Sequence, residues 1–164
     1  MDLVQLQPYT SQHYQGIAQL SLPKEQTHYT EMPEDSVECA AGDPTRNPVT
    51  ILADDVPIGM FVLQSGPVVS EYTPHKNALL LIAYMIDYSQ QGKGYANESL
   101  KKLPCYVREH YPEVEYIVLA VTVNNYAAQH VYKKNGFYEQ GERILGKEGW
   151  LKIFEMKVEK MFEE

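Results

Sequence analysis

Two nearly continuous apolar runs constrain the fold of this chain most strongly: "ALLLIAYMI" (Ala78–Ile86) and "YIVLAVTV" (residues 116–123). Runs of this kind are typical of strands that are covered on both faces at the centre of a sheet. The segment between them is long enough for a crossover helix. The pattern therefore predicts two parallel strands joined by a right-handed connection.

The segment between the two runs carries a helical pattern. Apolar residues recur there at spacings of four and three, as on one face of a helix, at Ala96, Leu100, Leu103 and Val107. Pro104 lies within this stripe and removes one backbone hydrogen bond, so a kink is expected.

The N-terminal part of the chain predicts a strand and two helices. "VQLQPYT" has the pattern of a strand, and Thr10 followed by Ser11 supplies the N-cap of a helix. A second, short helix is expected over Pro33–Ala41, because Pro33 suits the first turn of a helix.

A hairpin is predicted from "VTILADDVPIGMFVLQ", in which two apolar segments flank a turn at Asp54 and Asp55. Pro57 has no N–H group for a sheet hydrogen bond. The second strand of the hairpin is therefore expected to begin at Pro57 or to lie at an edge.

The C-terminal part predicts a helix over residues 125–135, with Gly136 as its left-handed C-cap residue. "FYEQGERI" and "WLKIFEMKV" have the pattern of closing antiparallel strands. In the second of these, the apolar phase slips between Ile153 and Phe154, which predicts a bulge. Together these elements predict one α/β domain over residues 1–164, with a mixed sheet of six to seven strands and helices on both faces.

Composition excludes several classes of protein. No apolar run approaches the roughly 20 residues that span a bilayer, and the N-terminus lacks the pattern of a secretory signal. Cys39 and Cys105 are not at metal-ligand spacing, so both are expected to be reduced, in a cytoplasmic protein. The formal charge of −8 argues against nonspecific nucleic-acid binding. This negative charge favours a basic partner or substrate. The alternative is that it only keeps the protein soluble.

A glycine-rich loop, "YSQQGKGYANESL" (residues 88–100), follows the first apolar run. It does not match G-x-x-x-x-G-K-[ST], because Gly94 is followed by Tyr95. It does not match G-x-G-x-x-G either, because the last position is Asn97. The loop therefore indicates neither a nucleotide triphosphatase nor an NAD enzyme.

The position of this loop still favours an anion site. It opens a helix, whose first turn has unpaired N–H groups and the positive end of the helix dipole. Gly92 and Gly94 let the backbone close around a pyrophosphate. Lys93 adds a charge or is solvated, and the alternative for the whole loop is a turn without a ligand.

A second motif, N-x-x-A-x-x-V-Y-x-x-x-G-F, covers residues 125–137. Asn125 stands at a helix start, where its side chain can cap the helix. Tyr132 follows two turns later near the same azimuth. A tyrosine at this position can bury its ring and present its hydroxyl to a cleft, or it can be a core residue.

Together the two motifs resemble the Gcn5-related N-acetyltransferase (GNAT) superfamily. The acetyl-CoA loop of that superfamily, Q/R-x-x-G-x-G/A, is matched by Gln91, Gly94 and Ala96. Its N-x-x-A-x-x-L-Y…G-F block is matched with Val131 in place of leucine. The resemblance is clear over residues 50–158.

This resemblance implies a GNAT-type, mostly antiparallel sheet and an activity. The expected reaction is direct transfer of acetyl from acetyl-CoA to an amine, without a covalent enzyme intermediate and without a metal. Tyr132 is implied to donate a proton to the departing thiolate. The pKa of a thiol is below that of tyrosine, so this contribution is expected to be modest.

The resemblance also implies which residues hold acetyl-CoA. N–H groups of the glycine-rich loop bind the pyrophosphate, and Asn125 bonds to the pantetheine. The pantetheine pairs like an extra strand with the end of the first apolar run. There an N–H group near Ile86 polarises the thioester carbonyl. The expected cofactor-binding residues are Tyr84, Met85, Ile86, Gln91, Gly92, Lys93, Gly94, Tyr95, Ala96, Asn125 and Ala128.

A narrower resemblance concerns the acceptor. "EQTHYT", "MIDYSQQGKGYA" and "GERILGKEGWLKIFEM" look like the branch that includes bacterial spermine/spermidine acetyltransferases, with Glu142 and Glu148 as a late acidic pair. A polyamine needs separated carboxylates, and the acidic run over residues 31–43 contains several. The alternative is that this run is a solvated helix face. The expected substrate-binding residues are Glu31, Glu34, Glu71 and Glu148.

The acceptor amine must react in its neutral form, so a proton acceptor is needed. Glu71, His75 and Asp87 flank the first apolar run and are the candidate bases. Tyr84 and Tyr88 are candidates for lining the acceptor cleft, although core packing explains Tyr84 equally well.

Three functional hypotheses follow. The first is an N-acetyltransferase for a small primary amine, such as a polyamine. The second is an acetyltransferase for a protein N-terminus or lysine, which would need an open groove. The third is a catalytically silent acetyl-CoA-binding regulatory module. The closing strands expose an edge, so a homodimer is also expected, with no nucleic-acid or membrane partner.

Overall fold

A seven-stranded sheet forms the centre of the computed structural model, which describes residues 3–27 and 31–159. Its strands are β1 (Val4–Pro8), β2 (Arg46–Ala53), β3 (Val56–Gln64), β4 (Ala78–Ile86), β5 (Tyr116–Thr122), β6 (Tyr138–Gly146) and β7 (Gly149–Lys157). The spatial order is β1-β2-β3-β4-β5-β7-β6. β4 and β5 are parallel, and the other neighbouring strands are antiparallel. The predicted α/β class and mostly antiparallel sheet are confirmed.

Helices cover both faces of this sheet, as predicted. They are α1 (Tyr14–Ala18), α2 (Pro33–Ala41), α3 (Tyr95–His110) and α4 (Tyr126–Lys134). On one face, Ile17 of α1 and Val37 of α2 pack with Met60 and Met85 of the sheet. α3 and α4 belong to the larger cluster on the opposite face, whose centre includes Phe154.

The helical pattern between the two apolar runs forms α3, which continues through Pro104 to His110. Leu100, Leu103 and Val107 of the stripe are almost completely buried against the sheet. Burying these side chains stabilises the helix by roughly 1.5–3 kcal/mol each. This burial offsets the hydrogen bond that Pro104 removes.

The turn of the predicted hairpin lies at the expected residues, Asp54 and Asp55. Asp54 and Asp55 both have positive φ angles, 48° and 69°, as a two-residue turn between β2 and β3 requires. Pro57 is the second residue of β3, and pairing of β3 with β4 starts at Gly59. The missing N–H of Pro57 therefore interrupts no bond to β4.

The predicted bulge in β7 is wrong. β7 pairs with β5 without interruption. The irregularity lies in β6 between Glu139 and Arg143, where Gly141 has a φ of +89°. The apolar phase of β7 slips because Ile153 and Phe154 are both buried, one on each face of the sheet. A strand covered on both faces need not alternate.

β4 and β5 separate soon after they pair. Their register covers three positions, ending at Leu80 opposite Val118. Further along, β4 carries an extra residue relative to β3, and Ala83 there has a φ of +55°. A bulge of this kind bends a strand. The end of β4 therefore leaves β5, and a cleft opens between them.

Gly59 gives a test of the close approach of β3 and β4 beside this bulge. A Cβ atom at Gly59 would lie 2.4 Å from the main-chain oxygen of Met85. We expect Gly59→Ala to lower the free energy of unfolding by about 1–3 kcal/mol, measured by urea denaturation. Gly42→Ala is the matched control, because nothing lies within 4 Å of its Cβ position. Equal stability of the two variants would show that the strands are not held this closely.

Candidate active site

A cleft of about 710 Å³ occupies the space between the separated ends of β4 and β5. The residues at positions 80–86 and 119–122 form its sides. Helix α4, the residues Gln26 and Glu31 before α2, and the β6–β7 turn complete it. The lining residues outside β4 and β5 are Leu22, Gln26, Glu31, Tyr72, Gln91, Asn125, Ala127, Ala128, Tyr132, Gly146, Lys147, Glu148 and Leu151.

The end of β4 offers an open strand edge to this cleft. Beyond Leu80, the edge that faces β5 has no strand partner in the described part of the chain. Tyr84, Met85 and Ile86 lie on this stretch and line the cleft. Unpaired main-chain groups in a cleft can pair with an extended ligand as a further strand would.

The glycine-rich loop ends at the N-terminus of α3. Gly94 is the N-cap residue, with a φ of +87°, and Gly92 has a φ of +78°. No side chain caps the helix, so N–H groups of its first turn are available to an anion, which the helix dipole also favours. Lys93 is exposed, and its Nζ donates to Oε1 of Gln90 at 3.2 Å.

The side chain of Gln91 connects this loop to two other parts of the cleft. Its Nε2 donates to the oxygen of Ile86 at 3.0 Å and to Oε1 of Gln26 at 2.9 Å. Its Oε1 accepts from Nε2 of Gln26 at 3.2 Å. Its main-chain N–H donates to Tyr88 O. Gln91 therefore positions the loop, and its own N–H is already engaged.

Gln26 lines the cleft but is not among the site residues expected from the sequence. The segment "EQTHYT" was one signal, because it matched the narrower resemblance. Its last three residues, 28–30, lie outside the described residues. The contact itself joins positions that are 65 residues apart, so no local pattern indicates it.

Asn125 is the N-cap residue of α4 and lines the cleft. Oδ1 of Asn125 accepts the N–H of Ala128 at 3.3 Å. This cap uses the oxygen of the side-chain amide and not its Nδ2 group. Capping and a hydrogen bond to a ligand are therefore compatible at Asn125.

Tyr132 of α4 also lines the cleft and is 9% exposed. Its ring makes edge contacts with the rings of Tyr84, at 6.2 Å, and Phe137, at 5.6 Å. Within the described residues its hydroxyl has no hydrogen-bond partner. Burial raises the pKa of Tyr132, so the hydroxyl keeps its proton well above neutral pH.

Tyr84 has a different environment. Its hydroxyl donates to the oxygen of Ala96 at 3.2 Å and also bonds to Oγ of Ser99. These contacts attach β4 to the first turns of α3. Burial raises the pKa of Tyr84. Tyr84 thus takes part in packing as well as in lining the cleft.

Two of the four predicted acceptor carboxylates lie in the cleft. Glu31 and Glu148 line it, whereas Glu34 and Glu71 do not. Glu34 is exposed in the first turn of α2, and Glu71 is exposed at the end of the short helix Pro67–Glu71. Both side chains therefore lie at the protein surface.

None of the three candidate bases lines the cleft. His75 stacks on Tyr116 with ring centres 3.6 Å apart, and its Nε2 lies 3.1 Å from Oε2 of the buried Glu155. Asp87 accepts the N–H of Ser21 at 2.7 Å. Tyr88, a candidate for the acceptor wall, is exposed and outside the cleft.

Residues 3–27 and 31–159 contain no helix that is long and apolar enough to cross a membrane. The same residues show no group of three His, Cys, Asp or Glu side chains that could hold a metal ion.

The sequence model described as the Acetyltransferase (GNAT) family matches residues 14–137 of this chain. The chain is also 33% identical over 144 residues to the uncharacterized N-acetyltransferase YbbJ of Bacillus subtilis (strain 168). That match covers 87% of this chain and 90% of the relative.

Solved structures share the fold. AAC(6')-Ib, an aminoglycoside acetyltransferase solved with paromomycin and acetyl-CoA, gives a TM-score of 0.75 at 18% identity, over 95% of this chain and 94% of that chain. Spermidine N-acetyltransferase from Vibrio cholerae, solved with CoA and spermine, gives 0.71 at 20% identity, over 94% and 95%. At these identities the likeness shows the fold alone.

Gly94 gives a test of the predicted pyrophosphate site. The left-handed φ of Gly94 costs another residue roughly 1–2 kcal/mol, although its Cβ position is open. We expect Gly94→Ala to weaken coenzyme A binding roughly tenfold, measured by calorimetric titration.

Gly141→Ala is the matched control, because it places the same strain, at a φ of +89° and in open space, in β6 away from the loop. It should lower stability and leave coenzyme A affinity unchanged. An unchanged affinity in Gly94→Ala would remove the loop from the pyrophosphate site.

Proposed function

This chain belongs to the Acetyltransferase (GNAT) family and is an acetyl-CoA-dependent N-acetyltransferase; from that premise we propose that its acceptor is a small primary amine, the class that includes polyamines. The observation that carries the proposal is the cleft between β4 and β5. Its volume of about 710 Å³ is in the range of small-molecule sites. We assign the acceptor to the side of the cleft that is lined by Gln26 and Glu31, before α2, and by Lys147 and Glu148 in the β6–β7 turn.

The described residues fit acetyl-CoA as the cosubstrate. The uncapped first turn of α3, with the glycines at 92 and 94, suits a pyrophosphate. The open edge at Tyr84–Ile86 suits the amides of a pantetheine arm, and Nδ2 of Asn125 can donate to it. A metal ion has no part in this proposal.

Bound acetyl-CoA supplies the acetyl group: a C–N bond forms to the acceptor, the C–S bond breaks, one proton leaves the nitrogen and one joins the sulfur. The hydroxyl of Tyr132 donates the proton to the sulfur and regains a proton from water. Burial raises the pKa of Tyr132, so the hydroxyl is protonated at neutral pH but is a weaker acid than an ordinary tyrosine, which keeps its contribution modest. A main-chain N–H near Ile86 stabilises the charge that develops on the acetyl oxygen.

The proton of the acceptor is released to water in this proposal. Glu71, His75 and Asp87 do not line the cleft, so none of them is assigned as the base. Turnover should therefore increase with pH as the free amine becomes more abundant.

An amine panel tests the proposal. The protein is incubated with acetyl-CoA and small primary amines, and release of the coenzyme A thiol is followed. We expect turnover with at least one small amine. Turnover with peptides alone would support the protein acetyltransferase. Tight acetyl-CoA binding without turnover on any amine or peptide would support the silent module.

Replacing Tyr132 with Phe tests the proton donor. Tyr132→Phe keeps the ring packing against Tyr84 and Phe137 and removes the hydroxyl. We expect kcat to fall roughly tenfold, at the low end for general acids because a thiolate leaves readily. The affinity for acetyl-CoA, measured by titration, should stay the same.

Tyr106→Phe is the matched control, because Tyr106 is buried on α3 outside the cleft and burial also raises its pKa. The control should keep its kcat.

Between about pH 7 and pH 9, wild type should show no loss of rate from deprotonation of Tyr132. An unchanged kcat in Tyr132→Phe would remove the hydroxyl from the mechanism.

A further inference from the structure

We infer that the acceptor is a primary monoamine with an apolar carbon body, bound against the apolar side of the cleft, and not a linear polyamine. This inference rests on the proposed function, because it names the class of amine that the same site takes.

The side of the cleft opposite α3 and α4 is apolar. Leu80 and Ile82 of β4 and Ala120 of β5 belong to the cluster on this face and line the cleft. Tyr72, from the same cluster, and Leu22, from the loop after α1, extend this surface. A hydrocarbon or aromatic group gains free energy by leaving water for such a surface.

The carboxylate of Glu31 is already engaged by the protein. Its Oε1 accepts from Nη2 of Arg46 at 2.6 Å and from Oγ of Ser36 at 2.7 Å. The Arg46 side chain is only 14% exposed, so its charge is weakly screened by solvent. An additional ammonium group beside Glu31 would therefore meet a positive charge as well as a negative one.

The other two charged side chains in the cleft, Lys147 and Glu148, add no net charge to it. Lys147 and Glu148 are adjacent in the β6–β7 turn, and both are exposed. Among the described residues, the charged side chains that line the cleft, together with Arg46, are two acids and two bases. The formal charge of −8 is therefore not concentrated at the acceptor site. It includes exposed acids of α2 such as Glu34 and Glu38.

The apolar surface of the cleft and its lack of net negative charge both disfavour a polyamine. When one end of a linear polyamine reacts, its remaining ammonium groups lie along the cleft. Each would have to leave water for a largely apolar surface, where Glu31 is bound to Arg46 and Glu148 stands next to Lys147, which is costly. An alkyl or aryl body of the same length gains from the same surface.

Hexylamine and cadaverine form a matched pair of probes, because they have the same number of non-hydrogen atoms and differ in one terminal group, methyl or ammonium. We expect kcat/KM for hexylamine to exceed that for cadaverine by about tenfold, from burial of the methyl and the cost of desolvating the charge. Thiol release with wild-type protein is the measurement. Spermidine should be no better than cadaverine.

The results with these amines distinguish failure of this inference from failure of the proposed function. Higher kcat/KM for cadaverine or spermidine than for hexylamine would overturn the inference and support the small-amine acetyltransferase. Absence of turnover with all small primary amines, while acetyl-CoA binds, would overturn the proposed function itself.

Leu22 tests where the carbon body lies. It stands in a loop and is partly buried, so a charged side chain there interrupts no helix or strand. Leu22→Glu should change the ratio of kcat/KM values in favour of cadaverine by about tenfold, since it supplies a carboxylate for the second ammonium group. Leu22→Gln, of the same length but uncharged, should give no such gain.

Coenzyme A affinity reports whether either variant has kept its fold. Equal ratios in Leu22→Glu and Leu22→Gln, with coenzyme A affinity retained, would show that the carbon body does not lie against Leu22. The wild-type comparison of hexylamine with cadaverine decides the inference without any variant.

Discussion

The separation of β4 from β5 is the constraint on which the rest of the site depends. The two strands pair over three positions, and then the bulge at Ala83 turns β4 away. A non-glycine residue with positive φ costs of order 1 kcal/mol, and an unpaired strand edge leaves main-chain groups without partners. Pairing with β3 and the bonds from Tyr84 to α3 hold the strand in this conformation. The protein thus maintains an open edge inside its own sheet, where an extended ligand can complete the pairing.

The parts of the site are held together by contacts between segments that are far apart in sequence. The reciprocal amide pair of Gln26 and Gln91 attaches the anion-binding loop to the segment that borders the acceptor side. The bond from Gln91 to Ile86 attaches the same loop to the end of β4. Movement of any one of these segments would therefore change the positions of residues on both the cosubstrate side and the acceptor side of the cleft.

Charge on the chain as a whole is a poor guide to charge in the cleft. An acidic chain with an acidic run before and within α2 suggests a site for cations. In the structure, exposed Glu34 and Glu38 face solvent, and Glu31, which does reach the cleft, is bound to Arg46. The electrostatic character of a site depends on which side chains converge there. Arg46 follows Glu31 by 15 positions and lies on a different element, so the pair is not visible as a local pattern.

The amino-acid sequence was sufficient for the properties that depend on neighbouring residues. Apolar runs and helical spacing predicted the central strands and α3. The glycines at 92 and 94 indicated a loop that can close around an anion, and two separated motifs indicated the GNAT family. Folding was needed for everything that depends on distant residues. The bulge lies in β6 and not in β7, Glu71 and His75 lie outside the cleft, and Gln26 lines it. The physical reason is that helix and strand periods, turns and caps act over a few residues, whereas the register of a sheet and the contents of a cleft are set by packing across the whole chain.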